Sequence, residues 1–227
     1  MITLAIETST EIGSVCLYDS SMGILAEVRL GKIKRHSATL LPSISYLFKN
    51  SGLSLEDIDF ISLGIGPGSF TGLRVGLSTA KGLCYSTGKP LVALSSLEAF
   101  AYQFVQFSGL ICPLFDARKK EVYAAVFSSN SKAIKRLTPD MVCPISKVLS
   151  SIEDRTAFAG SGAIKYREQI VEALGDRAVF APDSLMSPLA STVAVLAIPL
   201  AERGEFSDPV SLTPRYIRPS EAEIKLG

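Results

Sequence analysis

The chain has 227 residues, 47% of them hydrophobic and 20% charged, with 23 basic and 22 acidic side chains. This composition excludes a disordered chain and gives enough apolar mass for one large domain or two small ones. The net charge of +1 excludes a general field that draws in nucleic acid or anionic membrane, so any RNA contact comes through a partner or a local patch.

The N-terminal "MITLAIETST" lacks the basic start, long apolar stretch and cleavage site of a signal peptide. No apolar run approaches the ~20 residues of a membrane span. The expectation is a cytoplasmic protein with no membrane segment. Cys16, Cys84, Cys112 and Cys143 stand far apart in apolar surroundings, which predicts reduced, buried thiols rather than a zinc or redox motif.

In chain order, a strand is predicted over residues 2–6, followed by the polar turn "ETSTEIG". Two more strands follow near residues 14–18 and 24–29. Leu40, Leu41, Ile44, Leu47 and Phe48 recur at helical spacing, and "NSG" ends that helix. Pro42 must sit in the first turn or kink it. "DFISLGI" and "PLVALS" read as buried strands. Between them lies "GIGPGSFTGLRVG", Gly64 to Gly76, from which a second helix starts and runs to "STGKP".

This glycine-rich loop is neither a P-loop nor a dinucleotide fingerprint, although backbone N–H groups and Arg74 could receive an anion. The spacing of Gly72, Gly76 and Ala80 explains more. Glycine inside a helix costs about 1 kcal/mol against alanine, so a ridge of small residues points to close approach by another helix. From the pattern alone, that helix can belong to this chain or to another. Leu73, Leu77 and Cys84 on the opposite face serve the core.

Near residue 105 the pattern restarts. "LICPLFDARKKEVYAAVF" repeats the opening order of apolar run, acid, polar turn and apolar run, with Asp116 in the place of Glu7. Strands are expected at "KAIKRL", "TAFAG" and "RAVFA", and helices near residues 165–173 and 188–202. The repeat predicts a two-lobed α/β protein divided into residues 1–105 and 106–227. The tail "TPRYIRPSEAEIKLG" is expected to be extended. Glu56, Asp57 and Asp59 read as a solvated loop. "KIKRH" (Lys32 to His36) and "ARKK" (Ala117 to Lys120) read as surface, with contact to tRNA or an acidic partner as the alternative.

"ITLAIETST", "HSATLLPSI", "GIGPGSFTGLRVGLSTAKGL", "LSSLEAFA", "DARKKEVYAAVF" and "TPRYIRPSEAE" together resemble the bacterial TsaB (YeaZ) family over nearly the whole chain. The resemblance implies an α/β fold of two ribonuclease-H-like lobes, that of the actin/Hsp70/sugar-kinase (ASKHA) superfamily. It implies a non-catalytic partner of TsaD, the transferase that makes N6-threonylcarbamoyladenosine at adenosine 37 of tRNA. A TsaE-like ATPase completes the set, tRNA is reached through the complex, and a homodimer is expected when the chain is alone. The partner-binding helices correspond to residues 36–51 and 71–87. The residues expected at that interface are His36, Leu40, Ser43, Ile44, Leu47, Gly72, Arg74, Val75, Gly76, Thr79, Ala80 and Leu83.

The resemblance also places a degenerate nucleotide site. Glu7, Thr8 and Ser9 form the first hairpin. Asp116 and Arg118 stand where Asp-x-Gly is expected, and Gly160 with Gly162 partly match an adenosine-side glycine pair. No cofactor is expected. The His-x-x-x-His metal pair of TsaD-type proteins is reduced to His36, with Lys32 four residues before it, so no such metal is expected. The rival is an active ATP-dependent phosphotransferase or ATPase of the sugar-kinase superfamily, with Glu7 and Asp116 holding magnesium and nucleotide. A second rival is a direct tRNA-binding module, against which the near-zero net charge counts.

Overall fold

The computed structural model describes residues 1–31 and 36–218. Lys32 and the basic run through Arg35 lie outside the described residues, as do residues 219–227 of the tail. In chain order the elements are β1 (Ile2–Glu7), β2 (Gly13–Asp19), β3 (Gly23–Leu30), α1 (His36–Ser51), β4 (Phe60–Gly64), α2 (Phe70–Thr87), β5 (Leu91–Leu94) and α3 (Ser96–Tyr102). They continue as β6 (Ser108–Arg118), β7 (Glu121–Ala124), β8 (Phe127–Asn130), β9 (Ile134–Arg136), β10 (Met141–Pro144), α4 (Ile145–Leu149), β11 (Thr156–Ala159), α5 (Ser161–Lys165), α6 (Arg167–Leu174), β12 (Ala178–Phe180) and α7 (Ala190–Glu202).

The chain divides into two units: residues 1–99 with 188–215, and residues 100–187 with 216–227. The first contains a five-stranded sheet in the order β3-β2-β1-β4-β5. The second repeats that order as β10-β7-β6-β11-β12, with β8 and β9 added beside β6. In each, the first three strands pair antiparallel and the last two pair parallel. The internal repeat read from the sequence is therefore a repeat of one ribonuclease-H-like sheet.

The division at 105/106 differs from the structure at the C-terminal end, where residues 188–215 return to the first unit. The cause is α7. Ala190, Val193 and Ala194 pack on Ala5 and Cys16, and Ala197, Ile198 and Ala201 pack on Phe60 and Val92. The α7 N-terminus is held from the sheet. Ser14 Oγ accepts the Ala190 N–H at 2.6 Å, and the Glu27 carboxylate accepts the Ser191 N–H at 2.8 Å and its hydroxyl at 3.0 Å. These acceptors satisfy donors that a helix end leaves without partners.

In the first unit, Leu40, Ile44 and Leu47 of α1 and Leu77, Ala80 and Cys84 of α2 join Leu4, Ile6, Val15, Leu17, Ile61 and Leu63 of the sheet in one core. Pro42 lies inside α1 beyond its first turn, on an exposed position where the missing backbone bond is open to water. In the second unit, Leu114, Val122, Val148, Phe158 and Ile170 form the corresponding core. All four cysteines are free and buried. The acidic run builds turns: Asp57 accepts the Ser54 N–H and hydroxyl, each at 2.7 Å, and Asp59 accepts the Ile2 N–H at 2.7 Å. Among the described residues no helix is long and apolar enough to cross a membrane.

Candidate docking face and the buried acid positions

The glycine-rich loop becomes α2 at Ser69, whose side chain accepts the Gly72 N–H at 3.3 Å, and α2 ends at Gly88 in the left-handed region. The Gly72–Gly76–Ala80 ridge faces inward. A Cβ on Gly72 would overlap the carbonyl oxygen of Thr8, and one on Gly76 would overlap the Thr8 hydroxyl. Thr8 Oγ1 donates to the Gly72 carbonyl at 2.9 Å. The small residues thus let α2 lie on the segment that leaves β1. This corrects the expectation that Gly72, Gly76 and Ala80 form a partner surface: all three are buried within the first unit. Leu40, Ile44 and Leu47 are corrected likewise, since each is at most 4% exposed and packs in the core. The His36 side chain lies outside the description.

What α1 and α2 leave open is a different stripe. Ser43, Val75, Thr79 and Leu83 are half-buried, and Arg74 is exposed with its guanidinium 3.9 Å above the Phe70 ring. Between them run two grooves. One, of about 570 Å³, is bordered by Leu41, Phe48, Leu53, Leu55 and Leu83. The other, of about 390 Å³, is bordered by Leu41, Ser78, Thr79, Gly82 and Leu83. Leu41 is 57% exposed, Tyr46 58% and Tyr85 95%. A Cβ on Gly82 would meet nothing within 4 Å among the described residues beyond its own helix turn. Ser78, Gly82 and Ser86 are therefore the small residues at spacing four that face outward. Sequence reasoning named the inward stripe of these two helices, and the open stripe is a different one. Two signals were available: Leu41 and Phe48 form a second apolar stripe on α1, and Gly82 breaks the spacing of the inward ridge.

The acid positions are engaged by the chain itself. Glu7, at the end of β1, is fully buried, as are Thr8 and Ser9. Its Oε1 accepts the Ser9 N–H at 2.6 Å, while Oε2 is buried without a hydrogen bond of normal geometry. The loop of residues 66–69 closes over this hairpin: the Ser69 N–H donates to the Ser9 carbonyl at 2.7 Å, and Gly68 lies against Ser9. Burial pushes the Glu7 carboxyl above its ordinary 4.5, only partly offset by Ser9, Ser96 and the Thr8 backbone.

The raised value has a stability consequence. With rising pH the unfolded chain loses this proton near 4.5 while the folded chain retains it, so stability falls through that window. Glu7→Gln removes the titration. Urea unfolding between pH 4.5 and 8 is expected to show the variant gaining on the parent as pH rises, with a limiting slope of about 1.4 kcal/mol per pH unit. A constant difference at every pH would mean that Glu7 is ionised in the fold.

In the second unit the Lys165 ammonium holds both oxygens of Asp116, at 2.9 and 2.8 Å, and this pairing raises the Lys165 pKa. Ser161 Oγ accepts the Asp116 N–H at 3.0 Å. Arg118 has φ of 60°, the left-handed region that glycine favours. Gly160 and Gly162 serve packing: a Cβ on Gly160 would overlap the Leu114 carbonyl oxygen, and one on Gly162 would stand 2.9 Å from the Leu114 Cβ.

The family model described as TsaD, tRNA N6-adenosine threonylcarbamoyltransferase, matches residues 23–226. The tRNA threonylcarbamoyladenosine biosynthesis protein TsaB of Bacillus subtilis is 30% identical over 228 residues, covering 99% of this chain and 97% of that protein. The Escherichia coli protein of the same name is 35% identical over 133 residues, 58% of this chain and 57% of that protein. YeaZ from Pseudomonas aeruginosa superposes with a TM-score of 0.81 at 28% identity, covering 95% of this chain and 99% of that one. An activator of 2-hydroxyisocaproyl-CoA dehydratase from Clostridium difficile, at TM-score 0.52 and 10% identity over 92% of this chain and 99% of that one, shares the fold alone. The fold is that of the actin, Hsp70 and sugar-kinase superfamily. Similarity that runs almost from end to end, in sequence and in structure, places this chain in the TsaB (YeaZ) family.

Proposed function

We propose that this chain is the non-catalytic partner of a TsaD-like threonylcarbamoyltransferase and acts in making N6-threonylcarbamoyladenosine at adenosine 37 of tRNA. The names of its relatives support the pathway. One observation carries the partner role: the α1–α2 face exposes Leu41, which borders two open grooves together with Phe48, Leu53, Leu55 and Leu83. Contiguous apolar surface on a folded protein marks an interaction site. The occupant of this face is the equivalent helix pair of the TsaD-like subunit, in an interface of about 2,000 Å². Packing there holds the partner in its competent state by binding that state better. A TsaE-like ATPase joins the pair, tRNA is reached through the complex, and the same face joins two copies of this chain when the partner is absent.

The absence of catalysis is supported by the acid positions. A phosphoryl-transfer site needs carboxylates free to hold a metal ion. Glu7 is sealed under its own loop, and Asp116 is held by Lys165. The test mixes the chain with the TsaD-like subunit. A complex of equal stoichiometry is expected on size exclusion, with threonylcarbamoyl transfer raised at least about tenfold, a modest coupling of ~1.4 kcal/mol. ATP titrated into the chain alone is expected to give no saturable signal. No complex, with stoichiometric ATP binding by the isolated chain, would reverse the reading in favour of a phosphotransferase.

A further inference from the structure

The β6–β7 hairpin carries a feature that folding alone does not account for. Arg118 pairs with Glu121 across its base, so Lys119 and Lys120 are the two residues of the tight turn. Arg118, Lys119 and Lys120 have φ of 60°, 50° and 62°. A two-residue hairpin turn with positive φ at both positions favours Asn-Gly, and a left-handed residue at the bulge beside it favours glycine. This chain instead places a long cation at all three positions. All three side chains are exposed, and among the described residues none makes an ion pair.

Among the described residues, the acids at the base of the hairpin are already neutralised. Asp116 is held by Lys165. Glu121 pairs with Arg218 at 2.8 Å, and Arg218 also donates to the Ala117 carbonyl at 2.9 Å. Among the described residues, two carboxylates and five cations leave a local excess of three positive charges, all at the tip. Arg218 and Lys165 clamp the base of the hairpin, so the tip projects from a fixed support. Strain kept where local chemistry prefers other residues marks a functional site, and a rigid, unpaired cationic tip suits a polyanion.

We propose that the Arg118–Lys119–Lys120 tip contacts the phosphate backbone of the tRNA on which the complex acts. The choice of tRNA rests on the function proposed above; the polyanion chemistry does not. The contact is a sequence-independent positioning one, as phosphate contacts are.

The test uses the triple variant Arg118→Gly, Lys119→Asn, Lys120→Gly, which gives the turn its preferred residues. Thermal unfolding of the full chain is expected to shift upward. Binding of an unmodified tRNA transcript is followed from about 50 to 300 mM salt, with the chain alone and with the TsaD-like subunit. The variant should lower the slope of log affinity against log salt by about two to three, near 0.7–0.9 per lost phosphate contact, and weaken binding at least about tenfold near 100 mM. The charge-conserving Lys119→Arg, Lys120→Arg variant should keep the parental slope. A variant that unfolds later but binds tRNA with unchanged slope overturns the inference. So does a variant that loses the TsaD-like subunit while tRNA binding by the isolated chain is unaltered, since the occupant is then an acidic protein. If the parent chain forms no complex, the docking reading fails instead, and the salt slope of the chain alone still decides the hairpin.

Discussion

Gly82→Leu is expected to leave the chain folded and to cost the complex with its TsaD-like subunit about 100-fold in affinity, near 3 kcal/mol at a well-packed interface centre. Gly82 lies mid-helix on the open stripe of α2, bordering the same groove as Leu41, Ser78, Thr79 and Leu83. Among the described residues, nothing beyond its own helix turn stands within 4 Å of a Cβ there. Glycine in a helix interior is unfavourable by about 0.5–1 kcal/mol relative to alanine. Gly82→Ala should therefore raise the stability of the isolated chain while already weakening the complex. Opposite signs in the two readouts are the signature of a residue kept small for a neighbour outside the chain. Calorimetric unfolding and titration of the TsaD-like subunit measure both. Affinity unchanged by leucine would move the interface off this face.

The elements were legible because their signals are local. "DFISLGI" and "PLVALS" are continuous apolar runs of strand length, and they are β4 and β5. The loop before α2 announces its own cap at Ser69 and its own end at Gly88. The repeat of acid and turn at Glu7 and Asp116 marks two copies of one sheet. Helix phase was not legible. Leu40, Ile44 and Leu47 form one apolar stripe on α1, Leu41 and Phe48 form another, and spacing does not say which meets the sheet. The same ambiguity hid the direction of the glycine ridge, because a small residue signals a close neighbour without naming it. Long-range capture was also out of reach. The residues that anchor α7, Ser14 and Glu27, lie 176 and 164 positions from the groups they bind. Nothing near residue 190 indicates that the chain returns to its first sheet.

The inward ridge gives the second large effect, and its two glycines should behave differently. Gly72→Ala sets a Cβ against the carbonyl oxygen of Thr8, a backbone atom at the end of β1. That strand end also carries the Glu7 hairpin, to which Ser69 N–H is bonded through Ser9. The oxygen cannot rotate away, so relief requires α2 to lift from the sheet. A loss of about 3 kcal/mol or more is expected, a large part of the 5–15 kcal/mol that holds a domain together. Gly76→Ala meets only the Thr8 hydroxyl, which can turn, and about 1–2 kcal/mol is expected. A double-mutant cycle with Thr8→Ala separates them. Removing the hydroxyl should recover about 1 kcal/mol for Gly76→Ala and nothing for Gly72→Ala, since the carbonyl remains. Denaturant unfolding of the isolated chain suffices for the measurement. Recovery at both positions would mean that the Thr8 side chain, not its backbone, sets the distance of α2. Recovery at neither would place the obstacle elsewhere. If the ridge faced a partner instead, both alanines would leave the isolated chain at least as stable as before. Their cost would then fall on the complex, as is expected at Gly82.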